Sequence, residues 1–345
     1  MRNPKRIEVA RLAGVSESTV SRSLNDSPHI SHQSKQRVKD AAKRLGYVPS
    51  RQAALFARRR TCTVAFVVPS YQKFPPFSRP YFPALLDGAV LGAEARGFSV
   101  AIVLDKVESE SRDYGALVRS RTYDGLLFAV TRADYDRFRY FGENNIPFVL
   151  VNNYSEGLYS VDARPEPGMR AAFAHAEALG HRRIGYITGD KSYRNAVDRL
   201  DVFEHLAAEL GMETVIAEGD FSRTSGYRGT QQLLRGKSPP SLVMTSSDRA
   251  ALGVLQYCAE SGISVPRDLS VIGYDNLLPA TDVTPPLSTV DNPVSQAGWE
   301  AVQLLIDVIN GKVSEPVQLW LDTCFVPRRS TGSVPEAACE LSTRC

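Results

Sequence analysis

The 345-residue sequence has no apolar run near the roughly 20 residues that a membrane-spanning helix needs, and Met1-Arg2-Asn3-Pro4-Lys5-Arg6 leads into no apolar leader core. A cytoplasmic protein with no membrane partner is therefore expected. Cysteine is scarce: Cys62, Cys258, Cys324, Cys339 and Cys345 are odd in number, scattered and without a Cys-x-x-Cys pair, which argues against a disulfide framework and a structural zinc site. The chain also lacks Gly-x-Gly-x-x-Gly, Walker, Gly-x-Ser-x-Gly and His-Glu-x-x-His motifs, and His175, His181 and His205 lack metal-ligand spacing. These absences point away from an enzyme and from any cofactor. Low-complexity tracts are missing too, and with 43% hydrophobic and 23% charged residues the composition is that of a folded protein with a sizeable core.

Charge is present but uneven. Residues 1–60 hold 14 Lys or Arg against four acids, a net +10, whereas the remainder holds 27 bases against 34 acids, a net −7. One end suits a polyanion and the rest does not. A solvated basic tail would give the same count, but apolar periodicity runs through this segment, so it is expected to fold.

Ile7, Val9, Ala10 and Ala13 form an apolar helical stripe that stops at Gly14. Ser16 then suits an N-cap for Glu17 to Leu24, with Val20 and Leu24 one turn apart on a buried face. Ser31 suits the cap of a third helix, whose stripe is Val38, Ala41, Ala42 and Leu45 and whose stop is Gly46. Two short helices joined by a Gly-containing turn and backed by a third describe a helix-turn-helix. Such a unit lays its second helix in the DNA major groove. Arg22 then faces guanine, Glu17 cytosine, and Ser18 a neighbouring base edge, while Ser16, Thr19, Ser21, Asn25 and Ser31 suit phosphate oxygens. A three-helix interaction domain with a polar face is the competing reading, and the basic charge favours DNA.

The stretch Val9-Ala10-Arg11-Leu12-Ala13-Gly14-Val15-Ser16-Glu17-Ser18-Thr19-Val20-Ser21-Arg22-Ser23-Leu24-Asn25, continuing to Leu45-Gly46-Tyr47-Val48-Pro49, resembles the DNA-binding head of the lactose-repressor (LacI/GalR) family. Ser50 to Arg60 is helix-prone, but a helix this short is marginal alone. The resemblance implies that it orders on DNA as a hinge helix, with Leu55 or Phe56 as a wedge in the minor groove. A flexible basic linker is the alternative. Ser50 and Ala54 depart from the family's usual asparagine and polar residue.

From Thr63 onward, β-rich runs alternate with helical stretches in two series: Thr63–Val68, Ser99–Leu104, Gly125–Val130 and Phe148–Val151, then Arg183–Thr188, Thr214–Glu218, Ser241–Thr245 and Ser270–Tyr274. This alternation predicts two parallel α/β lobes with a ligand cleft beyond the strand ends. The resemblance continues through Arg79-Pro80-Tyr81-Phe82, Leu179-Gly180-His181-Arg182-Arg183-Ile184, Ser247-Asp248-Arg249-Ala250-Ala251-Leu252-Gly253 and Val271-Ile272-Gly273-Tyr274-Asp275. It implies a periplasmic-binding-protein-like core. The expected fold is thus an N-terminal all-α helix-turn-helix head plus an α/β two-lobed core. Residues 1–48 form the head, 49–61 the hinge, 62–331 the effector-binding and dimerisation core, and 332–345 a tail with no leucine heptad. The N-lobe spans about 62–160 and 291–320, and the C-lobe about 161–290 and 321–331.

Strand-end Asp248, Asp275 and Asn152 offer hydrogen bonds to hydroxyls, and Tyr81, Phe82 and Phe221 offer flat walls. Arg199 matches the family's cleft arginine. A strand-end Asp is as readily a helix cap and a lone aromatic as readily core. The resemblance implies a homodimeric regulator, by family habit a repressor, that binds a pseudo-palindromic double-stranded operator under control of a sugar-like effector. A corepressor-dependent or activating regulator with a non-sugar ligand remains the alternative, and a solute-binding protein or enzyme on the same core a remote one. Arg164-Pro165-Glu166-Pro167-Gly168, Val202 and the loop from Tyr71 to Ser78 depart from the family pattern, so effector identity does not carry over.

Overall fold

The computed structural model describes residues 4–24, 26–47, 60–70, 75–106, 113–130 and 135–334. Two units emerge, Met1–Cys62 and Thr63–Cys345. The expectations at Asn25, Leu55 and Phe56 fall outside the described residues.

The first unit holds α1 (Arg6–Ala13), α2 (Glu17–Leu24) and α3 (His32–Leu45). Gly14, at φ 65°, and Gly46, at φ 62°, end α1 and α3 in the left-handed region, where a side chain would be strained. Ser16 Oγ accepts from Thr19 N at 3.2 Å and Ser31 Oγ from Ser34 N at 3.3 Å, so both serines act as N-caps. Val9, Ala10, Ala13, Val20, Val38, Ala41 and Ala42 form the small core. Ile7 is 48% exposed and Leu45 37%, because each sits in a terminal turn where no second helix covers it. These two are corrections to the stripes read from the sequence.

The second unit contains two six-stranded sheets. In the N-lobe the order is β11 (Gln318–Asp322), β5 (Ser160–Arg164), β4 (Phe148–Val151), β3 (Gly125–Ala129), β1 (Thr63–Ser70), β2 (Ser99–Lys106). In the C-lobe it is β12 (Cys324–Val326), β10 (Ser288–Asp291), β9 (Ser270–Asp275), β8 (Leu242–Thr245), β6 (Arg183–Ile187), β7 (Glu213–Ala217). Each pairing is parallel except β10 with β12, which is antiparallel. Central strands are apolar throughout, as the GLLFA of β3 and the FVLV of β4 show, because helices cover both faces of each sheet.

The chain crosses between lobes after β5, between β10 and the helix Val294–Ile309, and between β11 and β12. Helix Val294–Ile309 packs in the N-lobe against helix Tyr81–Ala95 at glycine contacts: a Cβ on Gly88 would meet the Ser295 carbonyl oxygen at 1.8 Å, and one on Gly298 the Leu85 carbonyl oxygen at 2.1 Å. Among the described residues no helix is long and apolar enough to cross a membrane, and no group of His, Cys, Asp and Glu is placed to hold a metal.

Candidate functional site

In the head, α2 carries Ser18 and Arg22, both exposed and one turn apart. Glu17 is half-buried, and its Oε2 accepts from Arg6 Nε at 3.0 Å. The Ser16 hydroxyl also meets Ser18 Oγ at 2.8 Å and Thr19 Oγ1 at 2.9 Å. Ser31 Oγ donates to Ser34 Oγ at 3.0 Å, and Ser21 is half-buried. Of the hydroxyls expected at phosphates, those of Ser16 and Ser31 cap helices within the head and that of Thr19 bonds to Ser16.

In the core, the strands' carboxyl ends converge on Arg199, carried by the helix Arg194–Glu209 and 5% exposed. Its Nη1 donates to the Ser246 carbonyl at 2.6 Å, its Nη2 lies 3.6 Å from Asp275 Oδ1, and its guanidinium stacks 3.8 Å from the Tyr274 ring centroid. Asp275 ends β9 at φ 114° and accepts from Asn292 Nδ2 at 3.1 Å. Burial pushes the Asp275 carboxyl up to about 6, against the pull of the neighbouring arginine.

The N-lobe contributes neutral groups. Asn152, at φ 53°, donates from Nδ2 to the Tyr81 hydroxyl. Burial raises the Tyr81 hydroxyl well above its ordinary value, and the charge of Asp275 in the C-lobe adds to the effect. Phe221 comes from the C-lobe: held at φ 63° with its ring over Gly189, it packs against the N-lobe core and lies 5.9 Å from the Arg199 guanidinium.

Two expected wall or acceptor residues turn inward. Phe82 is 3% exposed within the N-lobe core, because it follows Tyr81 by about 100° around the helix and so points away from the cleft. Asp248 uses both oxygens internally, Oδ1 accepting from Thr289 Oγ1 at 2.5 Å and Oδ2 from Leu277 N at 2.9 Å. Burial raises its carboxyl to about 8, with Asp275 adding to the shift. It fixes the loop that follows β9.

The cleft also holds residues not singled out from the sequence. Asp162, Asn195, Asp198, Arg199, Tyr274 and Asn292 line one pocket. Asp162 Oδ1 accepts from Ala163 N at 2.7 Å, and burial lifts its carboxyl to about 7. Asp162 Oδ2, Asn195 Oδ1 and Asn292 Oδ1 are buried without hydrogen-bond partners. Two unpaired amide oxygens and one unpaired carboxyl oxygen around one arginine carry a desolvation cost and suit a molecule whose hydroxyls both donate and accept. The available signal was the aspartate set between the apolar Val161 and Ala163.

The family description of bacterial regulatory proteins, lacI family, matches residues 7–50, and that of a periplasmic binding protein-like domain matches residues 173–331. The HTH-type transcriptional regulator CelR of Thermobifida fusca is 33% identical over 336 residues, covering 95% of this chain and 98% of that protein. The HTH-type transcriptional repressor CytR of Escherichia coli (strain K12) is 30% identical over 335 residues, covering 95% and 96%. A solved CelR–cellobiose complex superposes with a TM-score of 0.72 at 32% identity, covering 95% of this chain and all of that one. A Lac repressor dimer bound to operator and the anti-inducer ONPF superposes at 0.84 with 25% identity, covering 96% and 100%. Head, core and relatives agree along nearly the whole length: the chain belongs to the LacI family of bacterial transcriptional regulators, with a helix-turn-helix DNA-binding domain and a periplasmic-binding-protein-like core.

Proposed function

We propose that the protein is a cytoplasmic repressor that binds a pseudo-palindromic operator as a homodimer and releases it when a sugar enters the cleft between the lobes. The observation that carries this reading is the buried Arg199–Asp275 couple ringed by unpaired acceptors in a chain that also bears a basic helix-turn-helix. A sugar hydroxyl both donates and accepts, so it can satisfy Asp162 Oδ2 and Asn292 Oδ1 while receiving a bond from the guanidinium. Sugar-bound relatives, one with cellobiose and one from Enterococcus faecium with ribose, support that ligand class.

On DNA, α2 lies in the major groove with Glu17, Ser18 and Arg22 toward base edges, and Ser16, Thr19, Ser21, Asn25 and Ser31 toward phosphates. Leu55 and Phe56 enter the minor groove at the operator centre. Dimerisation is supported by β2, an edge strand that exposes Ile102 and Leu104, and by Val90 and Leu91 on the helix Tyr81–Ala95. An exposed apolar edge of this kind needs cover. A ligand that touches Tyr81 and Asn152 on one lobe and Arg199 on the other favours one lobe arrangement over another, and that differential affinity is the source of control.

The test is selection of duplexes from a random pool at fixed, moderate salt. The reading expects an enriched palindrome with half-sites one helical turn apart, retained without ligand and released by a sugar. Enrichment that appears only with a metabolite extract would replace induction by corepression, and no enrichment in either condition would contradict operator binding.

A further inference from the structure

We infer that Arg6, at the start of α1, is a positioning residue for base recognition: it holds the Glu17 carboxylate so that the first residue of α2 reads a cytosine in each operator half-site. The inference rests on the reading in which α2 enters the major groove, and it concerns a residue outside that helix.

The contact joins two helices that the core of the head holds together. Arg6 opens α1 and Glu17 opens α2. Val9, Ala10 and Ala13 of α1 pack with Val20 of α2 in one buried cluster, which sets the separation of the two helix starts. Across it, Arg6 Nε donates to Glu17 Oε2 at 3.0 Å, from 11 residues away in the sequence. The two side chains are 47% and 41% exposed. An ion pair this exposed contributes little to folding, so its consequence is where the carboxylate lies.

That placement matters because a carboxylate is repelled by phosphates. Residues 1–60 contain four acids, Glu8, Glu17, Asp26 and Asp40. Glu8 accepts from Lys5 N at 2.7 Å, Asp26 pairs with Lys35 at 3.1 Å, and Asp40 accepts from Gln36 Nε2 at 3.1 Å. Glu17 alone lies on α2. The Arg6 guanidinium offsets its repulsion from DNA, and the positive end of the α2 dipole adds to that. Among the described residues Glu17 Oε1 makes no hydrogen bond, which leaves it as the acceptor for a base. Cytosine N4 donates to such an oxygen in the major groove, whereas thymine O4 and guanine O6 would set oxygen against oxygen. The guanidinium keeps further N–H groups for a phosphate, so Arg6 ties the base-reading side chain to the DNA backbone.

The full-length protein and its Glu17→Ala, Glu17→Gln, Arg6→Ala, Arg6→Lys and Arg22→Ala variants are each used to select duplexes from a random pool at fixed, moderate salt. The position that Glu17→Ala relaxes is the one Glu17 reads. The expected base there is cytosine for the unaltered protein and adenine for Glu17→Gln, whose amide pairs with adenine. Arg6→Ala should relax the same position and leave intact the position that Arg22→Ala relaxes, which also shows that the head is folded. Against a duplex with that C·G pair changed to T·A, the unaltered protein should discriminate about ten-fold or more and Arg6→Ala about three-fold or less, with Arg6→Lys between them. If Arg6→Ala weakens both duplexes equally and keeps the cytosine, Arg6 is a phosphate contact only and the positioning role is overturned. Loss of every position by Arg6→Ala and Arg6→Lys alike would make the pair a folding contact, and a Glu17→Ala protein that relaxes no position would remove Glu17 as a reader; both overturn the inference while an enriched palindrome leaves operator binding in place. No enriched palindrome for the unaltered protein would overturn the inference together with the operator reading on which it rests.

Discussion

The two lobes share one strand order yet bring opposite chemistry to the cleft. Read from the edge, β2-β1-β3-β4-β5-β11 and β7-β6-β8-β9-β10-β12 are the same pattern, differing at the last strand, which is parallel in the N-lobe and antiparallel in the C-lobe. The C-lobe supplies a charged jaw, in which Arg199 is held by Ser246, Tyr274 and Asp275. The N-lobe supplies Tyr81 and Asn152, neutral and bonded to each other, with Asp162 as its single buried acid in the pocket. A ligand can be captured by one jaw and sensed by the other. Affinity should therefore follow the C-lobe, and coupling to the head should follow contacts that bridge both.

That division can be broken most severely at Arg199. Arg199→Ala strands Asp275 in a buried site and should cost about 3–5 kcal/mol of core stability in urea denaturation, with loss of effector response in an operator-binding assay. Arg199→Lys keeps the charge but not the fork, so stability should recover more than effector binding. An Arg199→Ala protein with wild-type response would contradict the charged-jaw account.

Next in size is the pH dependence set by Asp162, whose carboxyl is raised from 3.8 to about 7 by burial. Below pH 3.8 it is protonated in both states and its contribution is fully present. As pH rises toward 7 the unfolded chain ionises while the folded carboxyl stays protonated, so stability is lost across that window, by on the order of 4 kcal/mol. Asp162→Asn should flatten the fall in urea midpoint between pH 4 and 7. Identical slopes in the two proteins would show that Asp162 is not held neutral in the fold.

Asp248→Ala is smaller, removing the acceptor for Thr289 Oγ1 and Leu277 N at about 1–3 kcal/mol. Effector affinity should move less than two-fold; a larger change than stability accounts for would make Asp248 a ligand after all. Smallest is Tyr81→Phe, which removes the partner of Asn152 and should cost about 1 kcal/mol. Its effect should appear in coupling, as a weaker response of operator binding to effector, more than in effector affinity itself.

Much of the fold was legible in the sequence because local signals agreed with tertiary need. Ser16, Ser31, Gly14 and Gly46 punctuate the head where the helices begin and end, and the eight apolar runs of the core are strands within one or two residues. Strands β5, β10, β11 and β12 carry little apolar signal, since each is three to five residues long and Asp162, Arg164, Asp291 and Asp322 interrupt the first three. Those are the elements next to the lobe crossings, and missing them hid the pocket that Asp162 and Asn292 complete. Around the cleft, Arg199 comes together with Asp275 and Phe221, and Tyr81 with Asn152. Phe82 and Asp248 do not open into it, because neither strand-end position nor residue type tells which way a side chain turns from its backbone.

The central claim is that a ligand in this cleft controls the DNA-binding head, and coupling of that kind is reciprocal. The most direct measurement is effector affinity by calorimetry with and without a saturating selected duplex. If the account is right, the duplex weakens effector binding by the same factor by which the effector weakens operator binding. Equal effector affinity in the two conditions would contradict it.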